Sequence, residues 1–159
     1  MKIQLLSDLH LEVHPAWVPT PAPDADLLVL AGDIGSYQPG SLLLDNDFGL
    51  ARFSPYNGWP TPVLFVPGNH EYDGMDFDAA HARLRETCAR LGIIWLEREV
   101  IRWSTPHEKP VRFIGTTLWT DFDALGPQES RDISAQTPHA ANLLAQQLKS
   151  RDKAFRAAN

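Results

Sequence analysis

Cysteine is nearly missing from this chain: Cys88 stands alone among 159 residues. A single cysteine excludes an internal disulfide and any zinc site built from cysteine pairs, and it suits a reducing cytoplasm, the expected location. Basic charge is also short, with 14 lysines and arginines against 20 acidic residues and a formal net charge of −6. That balance argues against a nucleic-acid partner, which wants a basic face. No apolar run approaches the roughly 18 residues of a membrane span, so no membrane partner is expected. Met1-Lys2-Ile3 runs straight into strand-like sequence, without the apolar region and cleavage site of a signal peptide. There is no Asn-x-Ser/Thr sequon, no P-loop, no Gly-x-Ser-x-Gly elbow and no His-Glu-x-x-His. Walker-type nucleotide binding, α/β-hydrolase chemistry and zincin chemistry therefore have no signature here. Internal repeats and low-complexity segments are absent too.

What is present fits one globular domain spanning 1–159, with hydrophobic residues at 43%. Short apolar runs at Ile3 to Ser7, Leu27 to Ala31 and Val63 to Val66 read as strands buried on both faces. His14 to Asp26 carries four prolines and reads as a surface loop. A short helix fits Leu42 to Phe53. A clearer one fits Asp76 to Leu91, where Phe77, Ala80, Leu84, Cys88 and Leu91 recur near helical spacing and Gly92 supplies the stop. Ile93 to Leu96 is a fourth strand. Val100 to Trp103 and Arg112 to Leu118 form a hairpin-type pair. Thr137 caps a last long helix with Pro138 at its first turn. Strands alternating with crossovers imply an α/β (or α+β) fold with a largely parallel sheet.

Three polar motifs follow the first three strands: Asp8-Leu9-His10, Gly32-Asp33 and Gly68-Asn69-His70-Glu71. In a strand, residues i and i+2 point the same way, so Asp8 and His10 face one point if the strand persists through them. A carboxylate with an imidazole suits Mn²⁺, Fe, Zn²⁺ or Ni²⁺ better than Ca²⁺. Gly32 lets other atoms approach the backbone before Asp33, whose two oxygens suit two metals at once. Asn69 offers an amide oxygen, and the imidazole of His70 titrates near neutral pH and is able to donate a proton. Strand ends of a parallel sheet line one crevice, the usual ligand site of such folds. Taken singly, each motif is an ordinary turn signal. Taken in order, each after a buried strand, they point to a metal site.

The segments Leu5-Leu6-Ser7-Asp8-Leu9-His10, Leu30-Ala31-Gly32-Asp33 and Val66-Pro67-Gly68-Asn69-His70-Glu71 resemble the calcineurin-like metallophosphoesterases. The resemblance covers residues 3 to 73 closely, and Gly115-Thr116-Thr117-Leu118-Trp119 also looks like a following strand of bacterial members. It implies a β-sandwich flanked by helices and a dinuclear centre of two divalent ions (Mn, Fe, Zn or Ni). By the same resemblance Asp8 and His10 would bind the first metal, Asp33 would bridge both, Asn69 would bind the second, and His70 would protonate the leaving group of a phosphate-ester substrate. Glu71 would tune or orient that corner without being a ligand.

The family pattern also asks for a later histidine after a strand and a Gly-His-x-His ending, and neither occurs. His81, His107 and His139 do not follow apolar strands, so no family role is carried onto them. The expectation is an N-terminal portion of a longer protein, its sandwich incomplete at the C-terminus and its exposed surface open to self-association. The expected function is hydrolysis of a phosphomonoester or phosphodiester. The alternatives are a non-catalytic interaction module, or a nuclease, of the same fold.

Overall fold

The computed structural model describes residues 1–104 and 109–119. The chain divides into two compact units, Met1–Thr117 and Leu118–Asn159, and every element below lies in the first. The expected helix after Thr137 and the loop tip at 105–108 lie outside the described residues.

Strands β1 (Ile3–Leu6), β2 (Leu27–Ala31), β3 (Val63–Val66) and β4 (Ile94–Trp95) form a parallel sheet in chain order. The first three match the apolar runs, which hold β-branched and aliphatic residues and no breaker. Leu6 pairs with Leu30 and Ala31 with Val66. The three strands therefore end at nearly the same level, and the three polar motifs leave the sheet side by side. A mixed α/β fold is what the sequence led us to expect.

β2 and β3 are buried as expected, with Leu27, Leu28, Leu30, Val63, Leu64 and Phe65 fully covered. β1 is not: Ile3 is 46% and Leu5 64% exposed. It is the outer strand of the sheet, and no described layer covers its second face. A side chain ties the strand to the proline-rich loop before β2. The Gln4 amide donates to the Thr20 carbonyl at 3.0 Å and accepts from Ala22 N at 2.8 Å. Gln4 thus pairs with this segment as a peptide group would. Pro19, Pro21 and Pro23 bring no N–H to it, which makes it a poor template for a further strand.

Helix α1 (Phe77–Leu91) crosses from β3 to β4. Asp76 caps it by accepting from Ala79 N at 3.0 Å, and Gly92 ends it in the left-handed region at φ 70°. Ala80, Leu84, Cys88 and Leu91 face the core. The expected helix over Leu42 to Phe53 shrinks to a 3-10 turn at Leu50–Phe53, with another at Pro55–Asn57. Phe48 and Gly49 both take positive φ, 58° and 73°, which breaks any helix there. Tyr37 fixes that break, because its hydroxyl accepts from Phe48 N at 2.9 Å while its ring packs on Phe48.

Strands β5 (Glu99–Trp103) and β6 (Val111–Gly115) make the antiparallel pair, with Ile101 opposite Phe113. Both pack on a cluster of Leu27, Leu64 and Leu96. β6 stops before the expected Leu118 because Thr117 turns away to other partners: its N–H bonds Glu97 at 2.6 Å, and its hydroxyl lies 2.6 Å from the Pro67 carbonyl. Among the described residues no helix is long and apolar enough to cross a membrane.

Candidate metal centre

β1 ends at Leu6, and Asp8 and His10 take left-handed backbone angles, φ 53° and 46°. The strand alternation expected to aim them together therefore does not persist. Their loop is instead zipped onto the next one by backbone bonds: Asp8 N to Gly32 O at 3.0 Å, His10 N to Asp33 O at 3.0 Å and Leu11 N to Ile34 O at 2.9 Å. Asp33 is left-handed too, at φ 54°. Such angles cost a non-glycine residue about 1 kcal/mol or more, and they persist where the surroundings over-determine them, typically at functional sites.

The loops after β2 and β3 touch through two glycines. A Cβ on Gly32 would stand 2.8 Å from Gly68 Cα, and one on Gly68 would stand 2.7 Å from Asp33 N. The third loop then places His70 N to donate to Asp33 Oδ1 at 3.0 Å.

The three loops bring His10, Asp33 and His70 together. One ligand atom from each lies within 4.8 Å of the other two, and the two imidazole rings stand edge to face at 5.0 Å. On each ring Nδ1 is already engaged, by Glu12 Oε1 at 2.9 Å for His10 and by Asp73 Oδ2 at 2.6 Å for His70. An ionised carboxylate only accepts, so each Nδ1 carries a proton; on a neutral ring the lone pair of Nε2 is then free, and on a charged ring Nε2 is a donor. Asp8 is exposed on the same loop and lies outside this group of three. Asn69 is exposed, and its side chain makes no capping bond to the turn His70–Tyr72 that it precedes. His81 is elsewhere, on α1, with Nδ1 3.2 Å from the Tyr72 hydroxyl and its ring edge-on to Trp95.

Glu71 does more than tune a corner. It is fully buried and accepts from three backbone N–H groups: Asp33 at 3.0 Å, Ile34 at 2.6 Å and Gly68 at 2.7 Å. Glu12, also buried, accepts from Ser36 N at 3.2 Å. Two carboxylates from the first and third motifs thus grip the turn that carries Asp33. Burial pushes the Glu71 carboxyl up to about 7, with the Ile34 and other N–H bonds opposing and the Asp33 charge adding to the rise. For His70, burial works against the charged form, but Asp73, Asp33 and Glu12 outweigh it and raise the imidazole above its ordinary value.

Glu12 and Asp73 were not picked out from sequence. The available signal was spacing, a carboxylate two residues after His10 and three after His70, though surface loops offer the same spacing often.

The donor set fits a divalent transition metal. Two imidazole nitrogens and a carboxylate oxygen converge, and imidazole suits Zn and Fe while carboxylate suits Mn. Among the described residues none of Asp8, Glu12, Asp33, Glu71 and Asp73 is ion-paired with a lysine or arginine. A bound cation would supply the missing positive charge.

Curated proteins and solved structures gave no significant match to the chain. A family model did: the model described as calcineurin-like phosphoesterase matches residues 1–145. With the three motif loops converging on His10, Asp33 and His70, the chain belongs to the calcineurin-like phosphoesterases, a family of metal-dependent hydrolases of phosphate esters.

Proposed function

We propose that this chain carries the first half of a two-metal centre that hydrolyses a phosphomonoester or phosphodiester. Asp8 and His10 would hold one divalent ion, Asp33 would serve both ions, and Asn69 would contribute to the second. Mn, Fe, Zn and Ni suit the donors. The observation that carries the reading is the convergence of His10, Asp33 and His70 within 4.8 Å at the ends of neighbouring strands. When bound, such ions draw charge from the phosphoryl oxygens and ease the ionisation of water.

The chain's own residues do the rest. Glu71 fixes the Asp33 turn through the Asp33 and Ile34 N–H groups and Glu12 fixes the chain just after it through Ser36 N, so the Asp33 carboxylate is held before substrate arrives. His70 acts as the general acid. Asp73 holds Nδ1–H, and the protonated ring gives its Nε2 proton to the leaving oxygen as the P–O bond breaks.

The test is metal analysis together with turnover of an aryl phosphate and an aryl phosphodiester. Asp33→Asn should abolish both hydrolyses, and the preferred substrate decides between monoester and diester. His70→Ala should damage alkyl esters more than aryl esters, since poor leaving groups need the proton most. Equal loss on both would remove His70 as the acid and leave it as a ligand. Wild-type protein that retains no metal and turns over neither ester would favour the interaction-module reading.

A further inference from the structure

Glu12 is only 1% exposed, and both of its oxygens are engaged. Oε1 lies 2.9 Å from His10 Nδ1, and Oε2 accepts from Ser36 N at 3.2 Å. Its backbone carbonyl accepts from Leu42 N at 2.8 Å. One residue therefore touches the imidazole of the first motif and, at two points, the chain that follows the second. A buried carboxylate is costly, and an apolar residue of similar size often replaces one without loss of stability. Packing alone gives no reason for a charge here, and His10 supplies one.

We infer that Glu12 is a positioning residue that keeps the proton of His10 on Nδ1, turns Nε2 toward Asp33 and His70, and ties the Ser36 to Leu42 segment to the same imidazole. The inference rests on the reading of His10 as a metal ligand. Neutral imidazole carries one proton, and the nitrogen that faces a carboxylate keeps it. The other nitrogen is then the basic one, and a hydrogen-bonded carboxylate makes it a better donor to a metal.

Glutamine at this position separates the roles. Glu12→Gln keeps the size, and its carbonyl oxygen still accepts from Ser36 N. Its NH₂ group then faces His10 Nδ1 and, as a donor, demands a lone pair there. The proton shifts to Nε2, the nitrogen that a metal needs. Glu12→Asp keeps an acceptor on a shorter stem.

The experiment reads the His10 tautomer in the metal-free, ¹⁵N-labelled chain by long-range ¹H–¹⁵N correlation, and the affinity for Mn²⁺ by calorimetry. The wild type should show His10 with its proton on Nδ1, and Glu12→Gln should show it on Nε2. Mn²⁺ binding should weaken by roughly 10–100-fold in Glu12→Gln, and Glu12→Asp should recover part of it. A wild-type His10 protonated on Nε2 overturns the inference without any variant. So does a Glu12→Gln chain with unchanged tautomer and wild-type affinity. Because the tautomer is read without metal, a wild type that shows the Nδ1 proton yet binds no Mn²⁺ refutes the ligand reading while the orientation of His10 by Glu12 stands.

Discussion

Alanine at position 68 tests how little room separates the loops after β2 and β3. The Gly68→Ala methyl would press hardest on Asp33 Oδ1, and it would stand 2.7 Å from Asp33 N and 2.8 Å from Asp33 Cγ. An ordinary carbon contact needs about 3.5 Å, so the loops must part by at least roughly 0.7 Å and the Asp33 carboxylate must swing further. Gly68 does not sit at positive φ, so the penalty is one of space. Overpacking of this kind costs about 1–3 kcal/mol, and a chain of this size loses roughly 2–4 °C of Tm per kcal/mol. A fall of about 4–8 °C is expected for the middle of that range. The larger effect is on chemistry, because the atoms pushed aside belong to Asp33. A displacement approaching 1 Å at a reacting site can cost about 100-fold in rate. Two companions calibrate the reading. Gly40→Ala carries the strain of φ 90° with nothing within 4 Å, so it should lose about 1 kcal/mol of stability and no Mn²⁺ affinity. Gly32→Ala combines φ 84° with Gly68 Cα at 2.8 Å and should be the worst of the three. Urea melts and calorimetric Mn²⁺ titration measure both quantities. Wild-type Mn²⁺ affinity in Gly68→Ala, or equal losses of affinity in Gly68→Ala and Gly40→Ala, would refute the argument.

Thr117→Val keeps the shape but removes the hydroxyl that lies 2.6 Å from the Pro67 carbonyl. It should lose about 1–2 kcal/mol in urea melts, and a loss below about 0.3 kcal/mol would count against that bond. Burial pushes the Cys88 thiol up to about 12, so a disulfide reagent at pH 8 should label it only after unfolding; rapid labelling of native protein would contradict its burial. Burial also raises Tyr37 to about 12. The folded state then keeps this phenol's proton after the unfolded chain loses it near 10. Its contribution is intact below pH 10 and lost as pH rises toward 12. Absorbance at 295 nm should show a late tyrosine ionisation that a Tyr37→Phe chain lacks. Chelation of bound metal by EDTA should lower Tm, since the ion binds only the folded form; an unchanged Tm in metal-replete protein would mean that no ion was held.

β2 and β3 were legible because a run such as Leu27 to Leu30 has one physical use, burial between two layers. β1 carries the same kind of run, and its sequence holds no mark that one of its faces lies uncovered among the described residues. The 42–53 segment misled for a different reason. A short helix fits it locally, but Phe48 is held left-handed with its N–H on the hydroxyl of Tyr37, eleven positions earlier in the chain. At the site, His10, Asp33 and His70 were readable as motif residues, since each follows a strand end. The path by which they meet was not readable. It runs through left-handed turns and backbone bonds between loops, and those depend on how two glycines pack. Glu12 and Asp73 look like any surface acids until their burial beside an imidazole is seen.

The sheet order carries a consequence for how the chain comes to be folded. Each strand of the four-stranded sheet pairs with its neighbour in sequence, but in parallel, so each of these pairings must first close a long loop. The bonds that tie one motif loop to another join residues 23 (His10 to Asp33) to 38 (Asp33 to Glu71) positions apart. Closing such loops is entropically unfavourable and makes parallel sheets slow to nucleate. In the unfolded chain Asp8 and His10 stay near each other, but Asp33 and His70 are far along the chain, so a metal would find no complete set to gather. The ion therefore meets a finished cradle, unlike the ion of a zinc finger, which folds its peptide around itself. Chevron plots should show this as an unchanged folding limb and a lowered unfolding limb on adding Mn²⁺. The metal acts on the lifetime of the native state and leaves the speed of reaching it alone.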